Sequence, residues 1–312
     1  MTEITIGIDV SKDRLDVHRF PAGEEQAFAN SKSGLTALIR WLSAGPVTRI
    51  IFEPTGRYHR DLELRLAAAG YALVKVNPRQ AKRFSEALGV RAKTDRADAA
   101  MLARMGAALA LEPQPVRPEI LNELNELIAA RRALIKDRTA AKNRAKGLRL
   151  ALLRRQNATR LARIGADLAA IDKAIAVLIA SDPVLAEKRA VLLSIPGISD
   201  ITAAALVALA PELGDLDQRQ IAALAGLAPI AQQSGTRSGR SFIRGGRSLL
   251  REALYMPALT AIRLNPDFKR IYARLTGNGK PAKVAITAVM RKLVILANAL
   301  LRDKRNWSPE AP

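Results

Sequence analysis

Cysteine is absent from this chain of 312 residues, and histidine occurs only at His18 and His59. The lack of cysteine excludes disulfides and thiolate metal ligands, and two histidines are too few for an ordinary zinc site. Any metal site must therefore be built from carboxylate oxygens.

Aromatic residues are also scarce, at 4% of the chain, although 49% of the residues are hydrophobic. Alanine and leucine dominate, which favours helix-rich aliphatic packing over an all-β sandwich. There is no run of eighteen apolar residues, and the chain opens into a polar-alternating strand rather than a signal peptide. We therefore expect a cytoplasmic protein with no membrane partner.

Acidic residues are far fewer than basic ones: 29 Asp and Glu stand against 50 Lys and Arg, for a formal charge of +21. This excess is larger than solubility requires and indicates a polyanionic partner, with nucleic acid as the leading candidate. The alternatives are a solvated basic surface or attraction to an anionic membrane.

The length predicts two globular domains and a connecting element. Residues 1 to about 111 alternate strand and helix patterns, beginning with a hairpin around Ser11 to Asp13. Ser31 is a candidate cap for a helix through Leu42, and residues 49–52 form a short buried strand. This order predicts an α/β domain with a mixed sheet and helices on its faces.

A different pattern follows the prolines at 113, 115 and 118, where leucine and isoleucine fall on one heptad phase from Ile120 to Leu152. A second helix spans Leu161 to Leu178, so the two segments predict a helical hairpin or coiled coil. We expect a division into residues 1–112, 113–182 and 183–312, the last segment being mainly helical.

The basic charge is concentrated on this hairpin, with Asp137 as the only acid between Arg131 and Arg163. A long basic helix can be merely solvated, but this imbalance favours a surface that follows a phosphate backbone. The candidate nucleic-acid contacts here are Arg131, Arg138, Lys142, Arg144, Lys146 and Arg149.

Four carboxylates form the candidate metal site. Asp9 and Glu53 each follow a predicted strand, and Asp95 and Asp98 lie three residues apart at the start of a helix after Thr94. If the strands are neighbours, these groups converge at the carboxyl edge of the sheet, where Mg²⁺ or Mn²⁺ can assist phosphoryl transfer. The alternative is that Asp9 and Glu53 only end strands while Asp95 and Asp98 only favour a helix N-terminus. Asp13, Asp16 and Asp61 are not assigned to the site.

Two glycine-containing segments follow in the C-terminal half. The first runs from Ile195 to Ser199 and has the form of a helix-hairpin-helix turn, in which Gly197 would approach a phosphate. An ordinary Pro-Gly connection is an equal alternative, since Ser199 replaces the usual second glycine.

The second segment places serines among glycines and arginines between Gly226 and Arg251. Guanidinium groups there could bind phosphate beside a serine oxygen, whereas the alternative is a flexible surface loop. The candidate residues are Ser234 with Arg237, Arg240, Arg244 and Arg247.

In combination, these motifs resemble the insertion-sequence-110 family of transposases over nearly the whole chain. The motifs that carry the resemblance are Ile8-Asp9-Val10-Ser11-Lys12, Phe52-Glu53-Pro54-Thr55-Gly56, Lys93-Thr94-Asp95-Arg96-Ala97-Asp98, Ile195-Pro196-Gly197 and Gly226-Leu227-Ala228-Pro229 with Ser234-Gly235.

The resemblance implies a ribonuclease H-like domain of the RuvC type, a coiled-coil middle and a C-terminal transposase domain with a nucleophilic serine. It implies that Asp9, Glu53, Asp95 and Asp98 are the acidic tetrad that binds Mg²⁺ or Mn²⁺ and that Ser234 is the serine. Ser238 and Ser241 lie close enough to leave the choice of serine open. It further implies DNA substrates, which a non-coding guide RNA selects.

Two other functions remain open at this stage. The tetrad alone would suffice for a metal-dependent, structure-selective DNA nuclease, and the basic charge alone for a non-catalytic nucleic-acid-binding protein. We also expect a homo-oligomer, a dimer or tetramer, with the tetrad of one subunit acting with Ser234 of another. The expectation rests on a first hairpin arm continuing to about Arg155, about 50 Å long.

Overall fold

A computed structural model describes residues 3–56, 58–89, 95–231, 233–234, 237–239 and 241–309. By its internal contacts the chain divides into two compact units, residues 1–117 (unit 1) and 118–312 (unit 2). The sequence analysis divides the chain into three segments by sequence pattern rather than by contacts, and that division stays a prediction.

Unit 1 is a five-stranded sheet with helices on both faces, as the alternation of strand and helix patterns predicts. Its elements are β1 (Thr5–Val10), β2 (Arg14–Phe20), β3 (Glu24–Ala29), α1 (Lys32–Leu42), β4 (Arg49–Phe52), α2 (Arg60–Ala68), β5 (Leu73–Lys75), α3 (Pro78–Ala87) and α4 (Asp95–Ala108).

The sheet order is β3-β2-β1-β4-β5. The hairpin strands β1, β2 and β3 pair antiparallel, whereas β4 and β5 continue parallel to β1. This mixed topology agrees with the ribonuclease H-like domain expected from the family resemblance. It also brings the carboxyl ends of β1 and β4 to one edge of the sheet.

The two faces of the sheet bury different helices because side chains alternate along each strand. Ile6 and Ile8 of β1 belong to a core with Leu35 and Leu38 of α1. On the opposite face, strand residues pack in a second core against α4, which contributes Leu102 among others. Ser31 caps α1 as predicted, since its side chain accepts a hydrogen bond from the Gly34 N–H at 3.2 Å.

Unit 2 is mainly helical around one large aliphatic core. Its elements are α5 (Glu119–Ala145), α6 (Ala151–Ala180), α7 (Pro183–Leu193), α8 (Asp200–Leu209), α9 (Gln218–Leu224), β6 (Pro229–Ile230), β7 (Gln233–Ser234), β8 (Arg237–Ser238), β9 (Phe242–Ile243), α10 (Ser248–Leu264), α11 (Pro266–Gly277) and α12 (Ala282–Arg302).

Helices α5 and α6 form the predicted hairpin. The Arg131 side chain pairs with Asp172, and the Asn157 amide donates to the Ala141 carbonyl, so the arms run antiparallel. The prediction that the first arm continues to about Arg155 is wrong, because α5 ends at Ala145. Residues 146–150, including a glycine, make the reversal, which shortens the arm to about 40 Å.

By length and composition alone, α12 is apolar enough to cross a membrane. However, 56% of its most apolar window is buried within the protein, and its leucine and valine side chains lie in the core of unit 2. Burial on most sides explains the composition of this helix.

Candidate active site

Asp9 and Glu53 lie side by side at the carboxyl edge of the sheet. In the parallel pairing of β1 with β4, Ile8 is opposite Phe52. Asp9 directly follows Ile8, and Glu53 directly follows Phe52. Neighbouring strands are about 4.8 Å apart, so the two carboxylates occupy adjacent positions. The prediction that these strands are neighbours is confirmed by the sheet order.

Gly7 brings α4 close to this edge. A Cβ atom at Gly7 would lie 2.0 Å from the Ala99 carbonyl oxygen and 2.5 Å from the Ala103 nitrogen, so only glycine permits this helix-on-strand contact. Asp9, two residues further along the strand, points to the same face as Gly7. Helix α4 begins at Asp95 and carries Asp98 in its first turn, which places both near that face.

We predict that Gly7→Ala destabilises the protein by about 3 kcal/mol, because helix backbone must move to admit the methyl group. The same movement should displace Asp95 and Asp98 and reduce any activity of the site. Urea denaturation measures the first effect. Gly165→Ala is a matched control in helix α6, where a Cβ meets nothing within 4 Å; an equal loss of stability in both variants would contradict the packing argument.

The electrostatics of Asp9 reflect its burial and the acidic groups around it. Partial burial, together with repulsion from Asp95, Asp98, Asp16 and Glu53, raises the pKa of the Asp9 carboxyl from 3.8 to about 6. All three other members of the predicted tetrad are thus near enough to affect Asp9. The carboxylates repel one another without a cation, which is the situation that a bound divalent metal relieves.

Asp16 is a fifth acidic residue at this edge, and the sequence analysis left it out. It lies opposite Asp9 in the β1–β2 hairpin and is buried. The Arg14 guanidinium donates to both of its carboxylate oxygens, at 2.9 and 2.8 Å. The short turn fixes the register of a hairpin, so pairing Asp9 with Asp16 was the signal that could have found it.

The oxygen-only set of side chains suits Mg²⁺ or Mn²⁺ rather than zinc. Within the part of the chain that the structure describes, however, no three acidic or histidine side chains are close enough together to form a ready-made metal cluster. The tetrad is therefore gathered at one edge but is not in ligand geometry. Thr94, which the sequence analysis places just before helix α4, lies outside the described residues.

Removing the Asp9 charge should stabilise the metal-free protein. Folding raises the pKa of Asp9 from 3.8 in the unfolded chain to about 6 in the folded protein. The folded state therefore loses stability as the pH rises from about 3.8 to 6, because the carboxyl must ionise in an unfavourable place. After allowance for solvent screening, Asp9→Asn should gain about 1–2 kcal/mol at pH 7 and less at pH 4.5.

Thermal unfolding in EDTA at both pH values measures this effect, with the exposed Asp61→Asn as the control. Adding Mg²⁺ should stabilise the unsubstituted protein and so reduce its difference in stability from the Asp9→Asn variant. A less stable Asp9→Asn variant at pH 7 in EDTA would contradict the electrostatic account.

The candidate serine lies in a small strand region between α9 and α10. Strands β7 and β8 pair with Ser234 opposite Arg237, and β6 pairs with β9. Ser241 is exposed just before β9. Arg240, one of the predicted phosphate contacts, lies outside the described residues, as does Gly235.

Arg247 and Arg244 have different environments. The Arg247 guanidinium makes two 2.7 Å bonds to the Glu212 carboxylate and donates to the Leu209 carbonyl, so it ties this region to the helical core. Arg244 is exposed. Arg247 thus has an internal structural role that the sequence analysis did not predict.

Gly197 is also explained by internal packing. Its φ is +102°, and a Cβ there would lie 2.8 Å from the Pro257 carbonyl oxygen and from the Ala261 nitrogen of α10. Ser199 caps α8 by accepting from the Thr202 N–H. These contacts account for both residues without a phosphate, and the helix-hairpin-helix function stays a prediction.

The predicted contacts on the helical hairpin are mostly accessible. Arg131 is paired with Asp172 through a 2.6 Å bond from its Nε, and Arg138 is half-buried. The remaining four are exposed: Lys142, Arg144, Lys146 and Arg149.

A carboxylate-lined sheet edge within a strongly basic chain is typical of enzymes that act on nucleic-acid phosphodiesters. Two family models match this chain, one described as "Transposase" over residues 6–152 and one as "Transposase IS116/IS110/IS902 family" over residues 189–273. The chain belongs to the IS110 family of transposases.

Full-length relatives agree with this assignment. The chain is 31% identical to a "Pilin gene-inverting protein" of Moraxella bovis and 30% identical to one of Moraxella lacunata, in each case over 98% of both chains. Among solved structures, "T. thermophilus RuvC in complex with Holliday junction substrate" matches 36% of this chain and 100% of its own, with 14% identity and a TM-score of 0.29. That likeness is too weak to define the fold by itself.

Proposed function

We propose that this transposase cuts and rejoins DNA strands by serine attack on phosphodiesters, assisted by divalent metal at the acidic edge of unit 1. The observation that supports the proposal is positional: Asp9 and Glu53 follow the paired residues Ile8 and Phe52, and Asp95 and Asp98 lie in the first turn of α4, the helix packed on Gly7. Gene inversion, for which the two Moraxella relatives are named, supports the same class of reaction.

The four carboxylates would hold Mg²⁺ or Mn²⁺. Such ions, when bound, polarise a phosphate and stabilise the charge that develops on its oxygens. The carboxylates would bind the metal ions from rigid elements of the fold. Asp9 and Glu53 lie on paired strands, and Asp95 and Asp98 lie on the helix whose close packing Gly7 permits. Arg14 neutralises Asp16, so the fifth acid adds less repulsion.

Ser234 is proposed as the nucleophile. Its hydroxyl oxygen attacks phosphorus, the bond from phosphorus to one strand's sugar oxygen breaks, and that oxygen takes a proton to leave a free hydroxyl end. A hydroxyl from a second strand then displaces serine and restores a phosphodiester. Bond energy is conserved throughout, which is consistent with the lack of a Gly-x-x-x-x-Gly-Lys-Ser/Thr nucleotide-binding loop in the sequence.

A strand-exchange assay tests the proposed function. The purified protein, its copurifying RNA and labelled donor and target duplexes should give joined products with Mg²⁺ and none in EDTA. Products that are cut but never joined would instead favour a structure-selective nuclease, and equal reaction without metal would overturn the proposal.

A non-coding RNA is proposed as the guide that selects the DNA sites. The basic hairpin supports this, because its exposed cations can contact a nucleic-acid backbone without reading sequence. Sequencing the RNA that copurifies with the full chain tests the proposal. A random sample of cellular RNA would contradict it.

A homo-oligomer is proposed as the active form. The hairpin arms fold back, so arm length alone does not separate the tetrad from Ser234. The remaining reason is chemical: exchange between two duplexes requires more than one strand to be cut, and several subunits supply several sites. The proposed site combines the tetrad of one subunit with Ser234 of another.

We predict that Asp98→Ala and Ser234→Ala proteins, each inactive alone, regain cleavage when mixed, because a mixed oligomer contains one intact shared site. Gel assays of the mixture measure the recovery, and sedimentation shows whether mixed oligomers form. Mixed oligomers that stay inactive would exclude a shared site.

A further inference from the structure

The outer end of the helical hairpin combines exposed leucines with a one-sided charge. Leu150 is the N-cap of helix α6 and Leu152 and Leu153 lie in its first turn; they are 67%, 56% and 40% exposed, respectively. The surrounding segment, residues 138–166, contains nine Lys and Arg and no Asp or Glu. Leucines clustered at such exposure need an explanation, because single exposed leucines are ordinary but a cluster usually marks a contact surface.

These leucines lie far from the hydrophobic core of unit 2. Leu121 and Leu124 of α5 and Ile175 and Ile179 of α6 are in that core. Beyond Arg131 the α5 arm continues for about 20 Å to its end at Ala145. Folding of unit 2 therefore does not require these three side chains to be leucine.

We infer that this tip, residues 146–155, is a DNA wedge, in which the three leucines enter a distorted base step while the flanking cations hold the phosphates. Apolar side chains inserted between base pairs stabilise kinked or unstacked duplexes in this way. The inference rests on the proposed function only in taking nucleic acid as the ligand. It is tested by equilibrium binding rather than by cutting, so its failure can be told apart from a failure of the proposed reaction.

Charge and shape select DNA among the possible partners. A second copy of the tip would bring four more cations with no acid, so tip-to-tip association is opposed by repulsion. Proteins that kink DNA insert apolar side chains, leucine among them, between base steps from the minor groove while Arg and Lys contact the groove beside them. The tip is consequently assigned to DNA whose stacking is already broken, such as a bulge or junction.

The test compares the full-length protein with a variant carrying Leu150→Ala, Leu152→Ala and Leu153→Ala. Alanine preserves helix propensity, and an unchanged urea midpoint checks the fold. The control variant carries Val177→Ala, Val184→Ala and Leu264→Ala, which remove equally exposed apolar side chains elsewhere in unit 2. Affinity is measured in EDTA for a continuous duplex, the same duplex with a three-nucleotide bulge, and an RNA duplex of matching sequence.

We expect the tip variant to lose about tenfold in affinity for bulged DNA and less than twofold for the continuous duplex, with the control variant unchanged. The slope of affinity against salt should stay the same in the tip variant and fall in Arg149→Gln with Arg155→Gln, because those cations contact phosphates. In a second measurement, 2-aminopurine beside the bulge should brighten when the unsubstituted protein binds.

Each of several results would overturn the wedge. These are equal losses on bulged and continuous DNA, stronger dependence on the leucines for RNA, or a 2-aminopurine signal that does not change on binding. A smaller oligomer in the tip variant would assign the leucines to self-association, and leucine-dependent binding to phosphatidylserine vesicles would assign them to a membrane.

Discussion

Ser234→Ala should abolish both cutting and joining, with a loss of at least about 10⁴-fold in strand exchange, because the proposed covalent step has no other nucleophile. Binding of DNA should be retained, since the change removes one hydroxyl. The assay measures cut and joined products from labelled donor and target duplexes in Mg²⁺.

Ser238→Ala and Ser241→Ala are the matched controls, because Ser238 belongs to β8 and Ser241 directly precedes β9 in the same region. Each should retain activity within a few-fold. If Ser234→Ala still cuts but no longer joins, the protein is a metal-dependent nuclease whose serine segment only binds DNA. If one of the controls is inactive while Ser234→Ala is active, the nucleophile is that neighbouring serine.

Asp98→Asn or Glu53→Gln should reduce cutting by about 10³-fold or more, because each removes a charge from the set that would hold the metal. In calorimetric titration with Mn²⁺, the heat of binding should disappear in Asp9→Asn as well. DNA affinity should not fall, since removing an acid reduces repulsion of phosphate.

Asp61→Asn is the control for this series, since Asp61 is an exposed acid in unit 1 that the proposal leaves out. It should keep both the titration heat and the activity. Unchanged metal binding in Asp9→Asn would remove these residues from the metal site, and retained rearrangement activity would support a non-catalytic DNA-binding role.

Strong local patterns made much of unit 1 predictable. The alternation of Ile6 and Ile8, the Ser31 cap and the short apolar run before Glu53 were each confirmed. Strand β3 and helix α3 were not predicted, since β3 is a largely exposed strand with only Phe28 buried and α3 buries only Ala81. In both cases neighbouring elements, rather than local sequence, decide the structure.

The extent of the hairpin arms was harder to predict, because the heptad phase continues through the turn. Leu148 and Leu152 fit the register of α5, yet the reversal at residues 146–150 puts one in the connection and the other in α6. Periodicity fixes the face of a helix but not its end, which here depends on antiparallel packing of the arms.

The sequence predicted that the strands before Asp9 and Glu53 are neighbours but not how the contacts around the site are made. The neighbouring order of β1 and β4 followed from a topology that strand patterns suggest. The Arg247–Glu212 pair and the packing of Gly197 on α10 each join residues distant in sequence. Such contacts depend on tertiary structure and leave little trace in a single sequence.

Mass spectrometry of the protein stopped during strand exchange tests the central claim most directly. A donor duplex nicked near the cut site would release its short strand and trap any covalent intermediate, after which nuclease and protease digestion leaves a nucleotide on the reacting residue. The account predicts a phosphodiester-linked nucleotide on Ser234 that forms with Mg²⁺ and is absent in Glu53→Gln. A protein that joins strands while no adduct forms, or an adduct on a different residue, would contradict it.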